Sequence, residues 1–389
     1  MIEKYLHYLW EYKIIPFHQL SFSKKHQFKV LNYGKYNSFE SGPDFQNALI
    51  ELDNMIWCGN VEMHVRSSDW NKHKHHLDHT YDTVILHVVY EHDLEIQQNG
   101  FVIPTIELKS CIDWKHYTSF QSLLKQKNTI LCGSQFTAIS SFQRTDFLER
   151  SLFMRLSRKS KINVHVEDNS PQQYLFHFLS IAFGTKTNRL SFEELALRLT
   201  IKKLKKLDKK SIRAILLTAS NINLNRKESS SFQMNKSSWR FGGVRPQNSP
   251  VKRLNQFAEL IAFFDFKLDF LSLDSKEIIS FFKEISDNSS ANNKLKFSLS
   301  FQKLLLINGI VPFLFWYGNY IENEVYIEKA FDILNEIPPE SNRIIKKWKH
   351  FNIMPKNAAE SQAYLEIFNE FCMNKKCLTC SIGKQLLGK

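Results

Sequence analysis

The sequence contains no apolar run approaching the roughly 20 residues that a membrane-spanning helix needs. Its opening residues, MIEKYLHYLW, are too charged and polar for a secretory leader. A membrane role is therefore not expected, and the cytoplasm is the expected location. Acids are in deficit: 39 Asp and Glu stand against 52 Lys and Arg, a net charge of +13 that favours a polyanionic partner such as nucleic acid. There is no convincing internal repeat. The six cysteines are not expected to form structural disulfides in a cytoplasmic protein. With 389 residues and 43% apolar content, the chain is long and apolar enough for two domains with sizeable cores, which excludes a disordered chain.

What is present is concentrated between Ser41 and Tyr90, where SGPDF, GNVEMH, SSDW, HKHHLD and LHVV bring acids and histidines together. Asn47 to Leu52 and Met55 to Val65 flank the turn pair Asp53-Asn54 and read as a hairpin. Alternation along the second strand puts Asn60, Glu62 and His64 on one face and Val61, Met63 and Val65 on the other. Asp44 sits just before the first strand. Such a polar face reads either as the solvated side of a sheet or as a metal site, because two converging carboxylates suit a hard cation such as magnesium or manganese. Of the 14 histidines, six lie between residues 64 and 87. His87 falls within a strand over Thr83 to Tyr90, on a largely apolar face, where a hydrogen-bonded core role competes with a ligand role. Imidazoles mixed with carboxylates also suit zinc or manganese, with Glu62, His64, His75, Asp78 and His87 as the candidate metal ligands.

The spacing GPD, about seventeen residues, then E-x-H resembles the PD-(D/E)xK signature of restriction-endonuclease-like nucleases. That resemblance implies that Asp44 and Glu62 are metal ligands and that His64 stands where the family usually has lysine. His64 is then a third ligand, a general base, or the mark of a site without nuclease activity. A helix ahead of the sheet often brings a further acid in that fold. The helical pattern of Ile2 to Ile15 makes Glu11 the candidate, with a solvated helix face as its alternative. On a longer scale, SGPDF, GNVEMHVRSSDW, HKHHLDHTYDTVILHVV, GGVRPQNSPVKR and CMNKKCLTCSIG together resemble a family of unknown function numbered 2851, over nearly the whole chain. That family carries no established activity to transfer.

Beyond about residue 140, strand-like alternation gives way to helical periodicity over Ser141 to Lys159, Pro171 to Phe183, Ser191 to Leu207, Lys252 to Phe266, Ser275 to Ile285, Leu299 to Val311, Ile327 to Asn335 and Ala358 to Met373. Basic clusters fall at Arg155 to Lys161, Lys202 to Lys210 and Arg343 to His350. Asn221 to Ser238 reads as an exposed loop. It leads into a glycine- and arginine-rich stretch in which Arg240, Arg245, Lys252 and Arg253 are candidate nucleic-acid contacts, unless the stretch is only a turn into the next helix.

Three of the six cysteines, Cys372, Cys377 and Cys380, fall within nine residues in a C-x4-C-x2-C arrangement. C-x2-C in a short loop is a common way to hold zinc or an iron–sulfur cluster, and both usually need four ligands. Cys132, Cys111, Cys58 or a histidine is the candidate fourth, and reduced, partly buried thiols are the alternative.

The expected architecture is α+β: a mixed β-sheet domain over residues 1–140, restriction-endonuclease-like in character, then a mostly helical basic domain over residues 141–389 that ends in the cysteine cluster. The expected function is metal-dependent phosphodiester hydrolysis of DNA or RNA, with Asp44 and Glu62 holding the metal and His64 assisting the water. A non-catalytic nucleic-acid-binding or scaffold protein, and a zinc hydrolase of a small substrate centred on His75, Asp78 and His87, remain as alternatives.

Overall fold

In the computed structural model, Asp53 and Asn54 both take left-handed backbone, with φ of 51° and 64°. Side chains of this type tolerate that conformation, and it gives the tight turn whose twist suits a hairpin. The turn joins strand β3 (Phe45–Leu52) to β4 (Met55–Arg66) in an antiparallel pair. Residues 1–15, 28–37, 41–161, 169–222, 233–264, 266–288 and 297–387 are described. They divide into two units: Met1–Ile139 together with Phe371–Lys389, and Ser140–Glu370. The cysteine-bearing tail thus belongs with the first unit, whereas the sequence pattern places it in the helical one.

The first unit begins with helix α1 (Glu3–Glu11), followed by β1 (Phe28–Asn32) and β2 (Lys35–Tyr36), which both pair antiparallel with β3. β5 (Val84–Glu91) then pairs parallel with β4, and β8 (Thr105–Glu107) pairs parallel with β5, so the sheet is mixed in the order β1-β3-β4-β5-β8. The residues between carry a short helix α2 (Asp69–Lys72) and, after β5, the small hairpin β6 (Gln97–Gln98) and β7 (Phe101–Val102). One face of the sheet packs Val61, Met63, Leu86 and Val88 against Tyr5, Leu6 and Leu9 of α1 and against Tyr117 and Phe120 of α3 (Trp114–Leu124). Asp113 caps α3 by accepting from the His116 N–H at 3.0 Å. Leu378 and Leu387 of the tail join the same core.

Two irregularities in the β3–β4–β5 region aim its polar side chains. Asn47 adopts φ 57°, where the β3–β4 register shifts, and its N–H is taken by Asn60 Oδ1 at 3.2 Å. This bulge bends the start of β3, and Asp44 just before it, towards Glu62. Gly59 lets β5 approach β4 closely: a Cβ there would lie 2.4 Å from Ile85 Cγ2 and 2.5 Å from the Thr83 carbonyl oxygen.

The regular elements described in the second unit are all helices, around a phenylalanine-rich core in which Phe183 meets Phe257 at 4.8 Å and Phe301 at 5.2 Å between ring centroids. The expected helix over Ser191 to Leu207 is broken at Leu199 into Arg189–Arg198 and Ile201–Leu204. Lys209–Ala219 and Arg343–Lys349 are additional helices. Of the expected loop at 221–238, residues 223–232 lie outside the described residues, and Lys236–Ser238 form a 3-10 turn. The helix Leu299–Tyr320 is long and apolar enough to cross a membrane, contrary to the sequence reading, and 67% of its most apolar window is buried in the unit.

Several basic residues of this unit are engaged inside it. Lys159 donates to Asn308 Oδ1 at 2.7 Å and Gln362 Oε1 at 2.9 Å, and burial pushes its pKa well below the usual lysine value. Arg155 and Arg158 both pair with Glu366. The 155–161 cluster is therefore an internal network more than a phosphate patch. Arg253 is buried as well: its guanidinium lies 3.4 Å from the Phe301 ring centroid and donates to Gln256 Oε1 and Asn248 Oδ1. It is a packing residue, which removes it from the candidate nucleic-acid contacts.

Two consequences are testable by denaturation. Gly59→Val should lower stability by about 1–3 kcal/mol through overpacking, with faster amide exchange confined to β4 and β5; an unchanged urea midpoint would contradict the close approach. Arg253→Ala should cost about 1–3 kcal/mol through the lost hydrogen bonds and packing of the buried guanidinium on Phe301, read as a lower thermal midpoint with nucleic-acid affinity unmoved.

Candidate metal centre

Alternation along β4 sends Val61 and Met63 into the core beneath α1 and leaves Glu62 and His64 on the opposite face, where both are buried. The parallel register sets Glu62 beside His87 of β5. This face is covered by the crossover between the two strands. Trp70 of α2, fully buried, meets the rings of His75, His87 and Tyr81 at 5.4, 5.3 and 5.7 Å. Asp93 holds the start of the crossover, accepting from Ser67 Oγ, the Ser68 N–H and Ser68 Oγ at 2.9, 2.9 and 2.7 Å. After α2 the chain reverses through Lys74, whose φ of 65° turns the flanking His73 and His75 onto the same site. Their rings lie 5.0 and 5.2 Å from that of His64.

The donor atoms converge more closely than the rings. His64 Nε2 is 3.1 Å from His73 Nδ1 and 3.7 Å from Glu62 Oε1, and His75 Nε2 is 3.4 Å from the same carboxylate oxygen. The ligand atoms of His64, His73 and His75 lie within 4.8 Å of one another. A tetrahedron with metal–ligand bonds of about 2.0–2.1 Å has edges of about 3.3–3.4 Å, so the three measured separations bracket the expected one. The set consists of three nitrogens and one carboxylate oxygen, which suits zinc or manganese better than magnesium. His64 Nδ1 lies 2.8 Å from His87 Nε2. With the Nε2 lone pair of His64 turned to the centre, its Nδ1 carries the proton and donates to His87, an outer contact that fixes the ring.

Electrostatics agree with that donor set. Burial, followed by the neighbouring imidazoles, pushes His64 down to about 2 and His75 to about 4, and burial brings His87 to about 3, so all three are neutral at pH 7. Burial and then the Asp44 charge push Glu62 up to about 9. A neutral imidazole is the form that ligates a metal, and a buried carboxyl without a cation retains its proton. His73 is exposed, so the centre opens to solvent on its side.

Asp44 is adjacent but directed differently. Its Oδ2 accepts from the Met63 N–H at 2.9 Å and lies 3.2 Å from His7 Nε2, while its own N–H donates to Glu62 Oε2 at 3.1 Å. Asp44 and Glu62 do converge, as their spacing implies, but Glu62 is the one turned to the imidazoles. His64 has both ring nitrogens engaged and a strongly lowered pKa, which fits a ligand and not the water-assisting base expected from the E-x-H motif. Glu11 lies in the last turn of α1, exposed, within electrostatic reach of His7, Lys384 and Lys376. Glu3, two turns earlier, is coupled to His7, Asp44 and His73. Sequence reasoning missed Glu3 and His7, although the spacing Glu3, His7, Glu11 places all three on one helix face. It also left His73 outside the ligand set. Asp78 is exposed and caps the turn after it, accepting from Thr80 N–H and Oγ1. His87 is an outer contact.

The remaining candidates fall elsewhere. Cys132, Cys372, Cys377 and Cys380 are brought together within the first unit, each close enough to influence the ionisation of the others. Cys58 is exposed and Cys111 half-buried. In the second unit, Arg240 and Arg245 are exposed, and Lys252 donates to Gln247. A cleft of about 890 Å³ also belongs to the second unit and has neither histidine nor cysteine in its lining, which includes Leu148, Phe153, Phe331 and Ala363.

Comparison with curated proteins finds no match, and comparison with solved structures finds none either. The sequence does match a family over residues 3–343. The protein therefore belongs to the family described as protein of unknown function, DUF2851, whose matched span contains every residue of the histidine and carboxylate centre.

Proposed function

We propose that this protein is a metal-dependent hydrolase of phosphodiester bonds in DNA or RNA, with its metal held by His64, His73, His75 and Glu62. The observation that carries the reading is the approach of three imidazole nitrogens and one carboxylate oxygen at 3.1, 3.4 and 3.7 Å in a site open on one side. When bound, zinc or manganese would supply Lewis acidity, acidifying a water and neutralising charge on a phosphate. The chain's own residues do the rest. Glu62, protonated in the metal-free centre, would hold the metal as a carboxylate, and His87 orients His64. Asp44, fixed by the Met63 N–H and 3.2 Å from His7 Nε2, keeps a partly exposed carboxyl group next to the centre, where it can accept a proton from an attacking water. Nucleic acid as substrate is supported by the net charge of +13 and by the exposed guanidinium groups of Arg240 and Arg245.

The ligand set is tested first by metal analysis. After loading and dialysis, the wild type should retain about one zinc or manganese per chain. His73→Ala removes an exposed side chain, so it should keep its far-UV circular dichroism while losing at least nine-tenths of the metal. Retention of full metal by His73→Ala would overturn the assignment.

Activity is tested by cleavage of labelled single- and double-stranded DNA and RNA with magnesium, manganese or zinc. Glu62→Ala and Asp44→Asn should each slow cleavage by about 100-fold or more, Glu62→Ala with loss of metal and Asp44→Asn with metal retained. Tight, salt-sensitive binding without cutting would replace this reading with that of a non-catalytic nucleic-acid-binding protein. Turnover of small esters alone would replace it with a small-substrate zinc hydrolase.

A further inference from the structure

Among the described residues the histidine triple is the group whose ligand atoms close within 4.8 Å, and the second concentration of metal-binding side chains is built on a wider scale. Cys132 follows α3 in the first unit, and Cys372, Cys377 and Cys380 return to that unit after the helical insertion. The return is fixed by packing: Leu378, between two of the cysteines, is 6% exposed in the core shared with α1 and β4, and Leu387 anchors the helix Ser381–Leu387 there.

The local backbone is shaped around the sulfurs. Lys375, with φ 51°, turns the chain after Cys372, and the Cys380 N–H donates to the Lys376 carbonyl at 3.0 Å. The Ile382 and Gly383 N–H groups donate to the Cys380 sulfur, the arrangement that stabilises a thiolate. Gly383 lies so close to the preceding turn that a Cβ would sit 1.9 Å from the Cys377 carbonyl oxygen. Every pair among the four thiols is within electrostatic reach, yet none is in a disulfide. Burial pushes Cys132 up to about 12 and Cys377 to about 11, with Cys372 and Cys380 also raised.

Spacing decides which group. Four thiolates on a single zinc, with bonds of about 2.3 Å, would stand about 3.8 Å apart. Among the described residues the tight group within 4.8 Å consists of the three histidines, and the four thiols, all within electrostatic reach of one another, do not form such a group. We propose that Cys132, Cys372, Cys377 and Cys380 ligate a four-iron iron–sulfur cluster, which ties the two chain segments of the first unit together. The cluster is held as a unit through four thiolates, each of which loses its proton on ligation. The site is separate from the histidine centre and its test does not depend on hydrolytic activity.

The test uses the full chain, expressed with iron and purified without oxygen. About four iron and four sulfide per chain are expected, with the broad visible absorbance of a cluster and a paramagnetic signal on reduction. Cys132→Ser and Cys377→Ser should lose at least half of the iron, whereas Cys58→Ser and Cys111→Ser should retain it. Should Cys132→Ser fail to fold, thiol alkylation of the wild type decides instead: four cysteines should be protected before iron chelation and reactive after it. One zinc per chain without iron or sulfide would overturn the cluster, as would a metal-free protein whose four thiols are all freely alkylated.

Discussion

The parallel pairing of β4 with β5 governs the chemistry available to the first unit. Parallel neighbours need a crossover of a dozen or more residues, and in most sheets a helix fills it and covers the face with apolar side chains. Here the crossover between Arg66 and Val84 is irregular, and it lays Trp70, His73, His75 and Tyr81 over a face already carrying Glu62, His64 and His87. An acid and several imidazoles are thereby taken out of water together. Each would be costly to bury charged and alone. Among them His64, His75 and His87 are neutral imidazoles beside a carboxyl that keeps its proton, a combination suited to a divalent cation.

Much of this was legible in the sequence where regular geometry connects residues. The Asp53-Asn54 turn, the two-residue period that places Glu62 with His64, and the strand containing His87 follow from local rules. Asp44 and Glu62 do meet, because a hairpin register leaves little choice. What was not legible depends on backbone outside regular elements. His73 reaches the site through the left-handed Lys74, a conformation that no periodicity announces. Glu3 and His7 require knowing which face of α1 lies over the Asp44 end of β3. That Cys132 lies near the three tail cysteines, as their residue types suggested, follows from the return of the 371–389 segment to the first unit.

The basic residues teach a related lesson. Counting lysines and arginines treats each as available to a partner, but Arg155, Arg158, Lys159 and Arg253 are bonded to acids, amides and an aromatic ring of their own unit. A charged head can be inside while its sequence neighbours are exposed, since a helix alternates faces every few residues. Charge useful for recognition is therefore the exposed remainder, in which Arg240 and Arg245 stand out because they lie on irregular backbone.

The first unit is discontinuous, its sheet and α3 ending at Ile139 and its last segment resuming at Phe371. On the ribosome, chains emerge from the amino end, and domains fold largely as they appear. The sheet with its histidine face can thus form early, while the core that Leu378 and Leu387 complete stays open until the whole helical unit has been made. The apolar surface awaiting that tail is exposed for as long as translation of the insertion lasts. A chain stalled within the insertion would leave this surface uncovered, because Leu378 and Leu387 have not yet been made.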